Sequence, residues 1–221
     1  EWYGLVSTYK NELLPKKLTL TAGLDIRYYV GHHNNKIVDL YGGDYYMDDS
    51  SRKNVKAENN AAAADPNFMY EKLSVGDVVY RDYDGHTHQE GAYLQGEYTM
   101  LDGKFNFVLS GSLSNTGYWR VDNFYYDKEH AESEKLNFIA GTVKGGVNYN
   151  IDRHNNVFVN AGYISRAPFF SGGAFLTSNV SNATNPNAIN EKIVSVEGGY
   201  GYRSKVFSAD INAYYTLWKD K

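Results

Sequence analysis

The feature that most constrains this chain is a two-residue periodicity held over long stretches. From Leu18 to Val30 every second residue is apolar or aromatic: Leu18, Leu20, Ala22, Leu24, Ile26, Tyr28 and Val30. Between them lie Thr19, Thr21, Gly23, Asp25, Arg27 and Tyr29, which are mostly polar. Successive strand side chains point to opposite faces, so this pattern predicts one long strand with an oily face and a wet face. Phe207, Ala209, Ile211, Ala213, Tyr215 and Leu217 repeat it. Residues 92–100, 105–114, 139–149, 157–163 and 194–202 alternate less strictly. Residues 2–11 give an eighth predicted strand, whose faces the sequence leaves unassigned.

The predicted connections alternate in length. Leu13-Leu14-Pro15-Lys16, Leu101-Asp102-Gly103-Lys104, Asp152-Arg153-His154-Asn155 and Arg203-Ser204-Lys205 read as tight turns. Asp-Gly is a hairpin signal, and proline presets φ in a turn. The other connections are long, at about residues 31–88, 117–134 and 167–190. One rim is thus expected to carry turns and the other loops. Ala61-Ala62-Ala63-Ala64 is expected to form at most a short helix inside the first loop.

Composition narrows the class. The 221 residues include 22 basic and 26 acidic ones, for a net charge of −4, which argues against the basic face of a nucleic-acid module. There is no cysteine, so disulfide scaffolds, thiolate metal sites and cysteine nucleophiles are excluded. No apolar run reaches the ~18 residues of a membrane-crossing helix. The 21 tyrosines and 21 glycines, against 4 prolines, suit pleated and bent β structure. Residues 1–4 contain no targeting segment, and both ends are expected to be cuts through a longer chain.

A soluble β-sandwich also alternates apolar and polar residues. Its strands run about five or six residues, however, and loops above ~15 residues are uncommon in compact domains. A tilted strand crossing a bilayer needs about 9 to 11 residues. A barrel wall with lipid outside, a polar lumen inside, short turns at one rim and long loops at the other fits every feature. Tyr98, Tyr149, Tyr163, Tyr200, Tyr202 and Tyr215 fall on the apolar faces, several near strand ends, where an interfacial girdle belongs. The expected fold is all-β: an antiparallel up-and-down transmembrane β-barrel, with residues 1–221 forming a single segment of about eight strands. A small closed eight-stranded barrel is the alternative for the isolated piece.

From Asn156 onward the sequence also resembles a known family. The run Asn156-Val157-Phe158-Val159-Asn160-Ala161-Gly162-Tyr163-Ile164-Ser165-Arg166-Ala167-Pro168, then Asn185-Pro186-Asn187 and Asn190-Glu191-Lys192-Ile193-Val194-Ser195-Val196-Glu197-Gly198-Gly199-Tyr200, is similar to TonB-dependent outer-membrane receptors of the Bacteroidetes type. Ala209 to Tyr215 with Lys219-Asp220-Lys221, Leu24 to Tyr29, and Leu40 to Tyr46 look alike too. The resemblance implies a 22-stranded parent barrel in the bacterial outer membrane. It also implies an N-terminal plug and energy supplied through TonB and an inner-membrane complex. The present chain is expected to lack the plug, the TonB-contact segment and the remaining strands, so transport is not carried by these residues alone.

Catalytic constellations are missing. The chain has no Gly-x-Ser-x-Gly elbow, P-loop, His-Glu-x-x-His or dinucleotide glycine pattern, and an enzyme is not expected. His86 and His88 would share a strand face, but a third metal ligand is not apparent, so they and His32-His33 are read as solvated loop histidines. Asp44, Asp48 and Asp49 lack calcium-loop spacing and are read as a solvated loop. In haem receptors of the resembling family a histidine lies between the Arg-Ala-Pro and Asn-Pro-Asn segments. None lies between Arg166-Ala167-Pro168 and Asn185-Pro186-Asn187, so neither haem nor any other cofactor is expected.

Asp25, Arg27, Glu97, Lys144, Glu197 and Asp210 fall on the wet face at membrane depth. Tyr45, Tyr46, Tyr118, Trp119, Phe124, Tyr125 and Tyr126 are expected on loops, where they would stack on a flat ligand or pack the loops together. The candidate ligand contacts are Arg27, Glu97, Trp119, Lys144 and Glu197. The expected function is part of an outer-membrane transporter that takes up a large nutrient such as a glycan, metal chelate or peptide. Its expected partners are outer-membrane lipid, TonB and a possible surface lipoprotein. The alternatives are a soluble β-sheet binding or adhesion domain and a passive outer-membrane porin.

Overall fold

The computed structural model describes residues 1–49, 69–126, 128–178 and 181–220. Among these residues ten strands follow one another: β1 (Trp2–Leu14), β2 (Leu18–Lys36), β3 (Tyr46–Asp48), β4 (Glu71–Leu73), β5 (Val78–Met100), β6 (Phe105–Asp122), β7 (Leu136–Asn150), β8 (Asn155–Arg166), β9 (Glu191–Arg203) and β10 (Ser208–Lys219). Eight of them form one sheet in the order β1-β2-β5-β6-β7-β8-β9-β10. Every neighbouring pair is antiparallel, which makes the sheet an up-and-down meander. The short β3–β4 hairpin stands apart from it, in the connection between β2 and β5. The eight predicted strands are the eight strands of the sheet.

Register aligns the alternation of all eight. One row runs Ala22, Leu94, Gly111, Val143, Tyr163, Val194 and Leu217 across seven strands. The row one residue away, on the opposite face, runs Thr21, Gln95, Ser110, Lys144, Gly162, Ser195 and Thr216. A one-residue slip in any strand would turn its apolar set to the wrong face, so register is specified wherever one face meets an apolar phase. Pairing with β2 also assigns the faces of β1: Leu5 and Tyr9 join the apolar side, opposite Ile26 and Ala22.

The apolar face has no second layer over it among the described residues. Leu24 is 55% exposed, Leu109 64% and Ile139 70%. A sandwich would bury these side chains. A contiguous apolar surface of this kind requires another apolar phase to cover it, and hydrocarbon supplies one. Beside the short turns this face carries aromatic rings, with Phe105 and Tyr149 stacked at 4.5 Å between centroids and Tyr202 beside Phe207.

The turns at that rim match their sequences. Leu101 and Asp102 have φ of 50° and 53°, and Gly103 follows at 92°. Gly103 adopts its left-handed backbone with no Cβ to clash, whereas Leu101 and Asp102 hold theirs against the penalty that a side chain carries there.

Two expectations about the opposite rim need correction. β5 has 23 residues, β2 has 19 and β6 has 18. At ~3.3 Å per residue β5 is about 75 Å long, so only about half of it lies within the bilayer. The connections are shorter than expected, because the strands continue beyond the membrane, where neither face has to be apolar. His32, His33, His86 and His88 therefore stand on strands, not loops, as do Tyr118 and Trp119. Among the described residues the sheet is open, as expected of a segment of a larger barrel and unlike the alternative of a small closed one: β1 and β10 each have one strand neighbour. The predicted helix at Ala61 to Ala64 lies outside the described residues.

Candidate functional site

The polar face carries four of the five sequence-derived candidates. Arg27 holds Asp25 two residues away on the same face, its Nε donating to Oδ1 at 2.8 Å and Nη2 lying 2.5 Å from Oδ2. Glu97 accepts a hydrogen bond from Gln95 Nε2 at 2.8 Å, and Glu197 accepts one from Asn212 Nδ2 at 2.7 Å. Lys144 lines a recess of about 470 Å³ together with Ser110, Asn160, Ser195 and Glu197. These residues share a wall but form no single constellation. Glu97 and Glu197 occupy one cross-strand row four strands apart, roughly 19 Å at ~4.8 Å per strand.

Trp119 is elsewhere. It faces the apolar side of β6, above the apolar belt, stacked on His86 with ring centroids 4.8 Å apart. Tyr28 joins the stack, and its hydroxyl lies 2.7 Å from His86 Nδ1. Lys135 Nζ sits 5.2 Å from the indole centroid. A ring stack with polar edges at this height suits the membrane–water interface.

Above the membrane the polar face becomes a built structure. The connection between β8 and β9 folds back across it. Tyr118 donates its hydroxyl to the Pro168 carbonyl at 3.0 Å. Phe170 meets the Tyr118 ring edge-on at 5.6 Å and covers Gly85, where a Cβ would lie 3.0 Å from the Phe170 ring. Tyr118, Ala174 and Phe175 form the buried apolar cluster, with Phe138 and Ala167 packed against it. At the root of the connection Arg166 pairs with Glu191 across β8 and β9.

A polar bolt locks the same region. Arg120 and Asp122, consecutive on the polar face of β6, are 2% and 1% exposed. Arg120 Nη2 lies 3.3 Å from Asp122 Oδ2, and Nη1 donates to the Ser178 carbonyl at 2.8 Å. Asp122 Oδ1 accepts from the backbone N–H groups of Phe124 and Tyr125 at 2.9 and 2.6 Å. Asn182 adds a bond from Nδ2 to the Ala131 carbonyl at 2.8 Å. Three chain segments are tied at one point.

These groups lie beyond the roughly ten membrane-crossing residues of their strands. Burial pushes the Tyr118 phenol up from its ordinary range, and Arg166 opposes that. Burial also holds the His33 imidazole below its ordinary value, aided by Arg81 and Arg120. Tyr83, Arg120 and Asp122 are not among the sequence-derived candidates. The signal was present: Thr116, Tyr118, Arg120 and Asp122 continue the polar parity of β6 past the point where the apolar parity fades.

Asp48, one of the acidic residues read as a solvated loop, is instead 3% exposed on β3, where it pairs with Glu71 of β4. Among the other aromatic candidates, Tyr125 is 5% exposed and donates its hydroxyl to the Tyr80 carbonyl at 2.7 Å.

An open antiparallel meander with one apolar and one polar face, short turns at one rim and structured connections at the other, is the wall of an outer-membrane β-barrel. The sequence model for the TonB-dependent receptor-like β-barrel matches residues 2–221, and the chain belongs to that family. The family comprises receptors and transporters of the bacterial outer membrane, not enzymes, and its members work with TonB. No curated protein matches the chain.

Proposed function

We propose that residues 1–221 form a single segment of the wall of a plugged barrel that imports a large nutrient: a glycan, a metal chelate or a peptide. On this reading the parent barrel has 22 strands, is of the Bacteroidetes type, and is energised through TonB contacting the plug. The observation that supports it most is the single polar face, continuous across the sheet and backed by a lipid-compatible apolar one. Arg27, Glu97, Lys144 and Glu197 then line the bore and contact plug or ligand. Trp119 sits at the outer-leaflet level, where it contacts lipid or a surface lipoprotein.

The test uses the full-length receptor expressed in outer-membrane-competent cells, with and without TonB. Cells would be supplied in turn with ferric citrate, a mixed oligosaccharide pool and a tryptic peptide digest as limiting nutrient. TonB-dependent growth on at least one supports active uptake. Growth on all three that is indifferent to TonB would instead indicate a passive porin. Recovery of the intact parent without detergent would favour a soluble binding domain.

A further inference from the structure

Beneath the folded-in connection the polar face forms a recess of about 590 Å³, within the range of small-ligand sites. Its floor comes from β5, β6 and β7, its sides from Asp25 of β2 and the end of β8, and its roof from Ala167 to Phe170. We infer that this recess is a subsite for a neutral, polyhydroxylated ligand, a saccharide ring rather than an ionic chelate. The inference deepens the transporter reading and rests on it, because it needs this face to be the bore.

Three observations carry it. First, the charges at the recess are internally neutralised. Its two charged lining residues are Asp25, held in a fork by Arg27, and Arg166, paired with Glu191. An anionic ligand wants an open guanidinium or ammonium, and a cationic one wants open carboxylates. Second, the wall offers uncommitted neutral groups. Gln89, Ser112, Ser114 and Thr142 line the recess, and their side chains make no hydrogen bond to another described residue. Ser112 and Thr142 face each other across β6 and β7. A hydroxyl both donates and accepts, so this wall matches a ligand whose own groups do the same. Third, the roof supplies aromatic faces. Phe169 is 72% exposed, with the Arg166 guanidinium 5.0 Å from its ring, and the half-buried Phe170 stands beside it, while Tyr118 lies buried beneath them. A sugar presents a C–H face to rings of this kind while its edge hydroxyls bond to the wall.

The experiment uses the full-length receptor in detergent. Thermal unfolding is followed with pooled neutral oligosaccharides from partial hydrolysis of dextran, xylan and mannan, with ferric citrate, and with trilysine. The neutral pool raises Tm, and the two ionic probes do not. The Ser112→Ala/Thr142→Val double variant weakens the half-saturating concentration at least tenfold, and Ser112→Asp/Thr142→Glu abolishes the shift. Should the charged variant fail to fold, the near-isosteric one still decides. A shift confined to ferric citrate or trilysine overturns the inference. So does no shift with any probe, or a neutral-pool shift unchanged in the near-isosteric variant. TonB-dependent uptake of ferric citrate alone would sink this inference and leave the transporter reading standing.

Discussion

The Arg120 guanidinium lies 3.7 Å over the Tyr83 ring, and the opposing His33 imidazole stacks on that same ring at 4.8 Å. Tyr83 is thus placed between a permanent cation and a titratable one, on the polar face above the membrane. The sheet is not stiffened there by lipid. Side-chain chemistry holds the folded-in connection, and Arg120 is its centre.

Arg120→Ala should therefore release that connection. Removing one partner of a buried ion pair leaves the other charge uncompensated and costs about 3–5 kcal/mol. The loss is local, because the membrane-crossing rows do not touch Arg120. Amide hydrogen exchange should accelerate in residues 167–190 and 123–135 and stay slow in residues 92–100. Arg120→Lys should recover only part of the protection, since an ammonium lacks the planar fork that reaches Asp122 and the Ser178 carbonyl together.

Adjacent residues of β6 should respond oppositely to charge. Leu109 faces lipid and is 64% exposed, whereas Ser110 belongs to the polar row with Gln95 and Lys144. Leu109→Arg should cost ~2–4 kcal/mol at the bilayer midplane, and Ser110→Arg far less. Urea titration of the full-length receptor in lipid vesicles reads both. Equal costs would mean that the two faces are not in different solvents.

That contrast shows why the membrane belt was legible in the sequence and the rim was not. Between Leu18 and Ile26 two solvents sort side chains by parity, so period 2 is written into the sequence. Between Val78 and Gly85 both faces of β5 meet water or other protein, and Tyr83 and Asp84 carry no such sorting. Their strand state comes from pairing with β2 and β6, a long-range constraint. Arg27, Glu97, Lys144 and Glu197 share the polar parity in both the sequence and the register. Trp119 was misread as a loop residue because it lies where parity no longer marks a strand. Arg120 and Asp122 were missed because their burial depends on a segment that includes Ser178, 58 residues downstream of Arg120.

Two wall glycines are spaces for aromatic rings. The Tyr93 ring lies against Gly23, with its hydroxyl 2.8 Å from Thr8 Oγ1, and Phe158 lies over Gly199. A Cβ on Gly199 would come within 2.5 Å of the Phe158 ring and 3.0 Å of the Ile211 carbonyl. Gly199→Ala should destabilise the β8–β10 region by about 1–3 kcal/mol, the usual range for overpacking. Adding Phe158→Ala should relieve only part of this, because the carbonyl contact remains. Refolding yields of the single and double variants into vesicles test the order.

The stacked His33 predicts a pH response at the rim. Its ordinary value is 6.5, and in the folded chain burial, then Arg81 and Arg120, hold it lower, against an opposing pull from Asp84. Above about pH 6.5 the imidazole is neutral whether the rim is ordered or open, and its stabilising contribution is complete. As pH falls below that, the open state takes up the proton first, so the ordered state loses ground until the lowered folded value is passed. Hydrogen exchange at residues 80–84 and 118–122 should therefore quicken, relative to the intrinsic amide rate, between pH 7 and pH 5. His33→Phe keeps a ring on Tyr83 without a titrating nitrogen, so it should flatten that added acceleration. A wild-type profile already flat over this interval, or an unchanged slope in the variant, would assign the acid response to other groups.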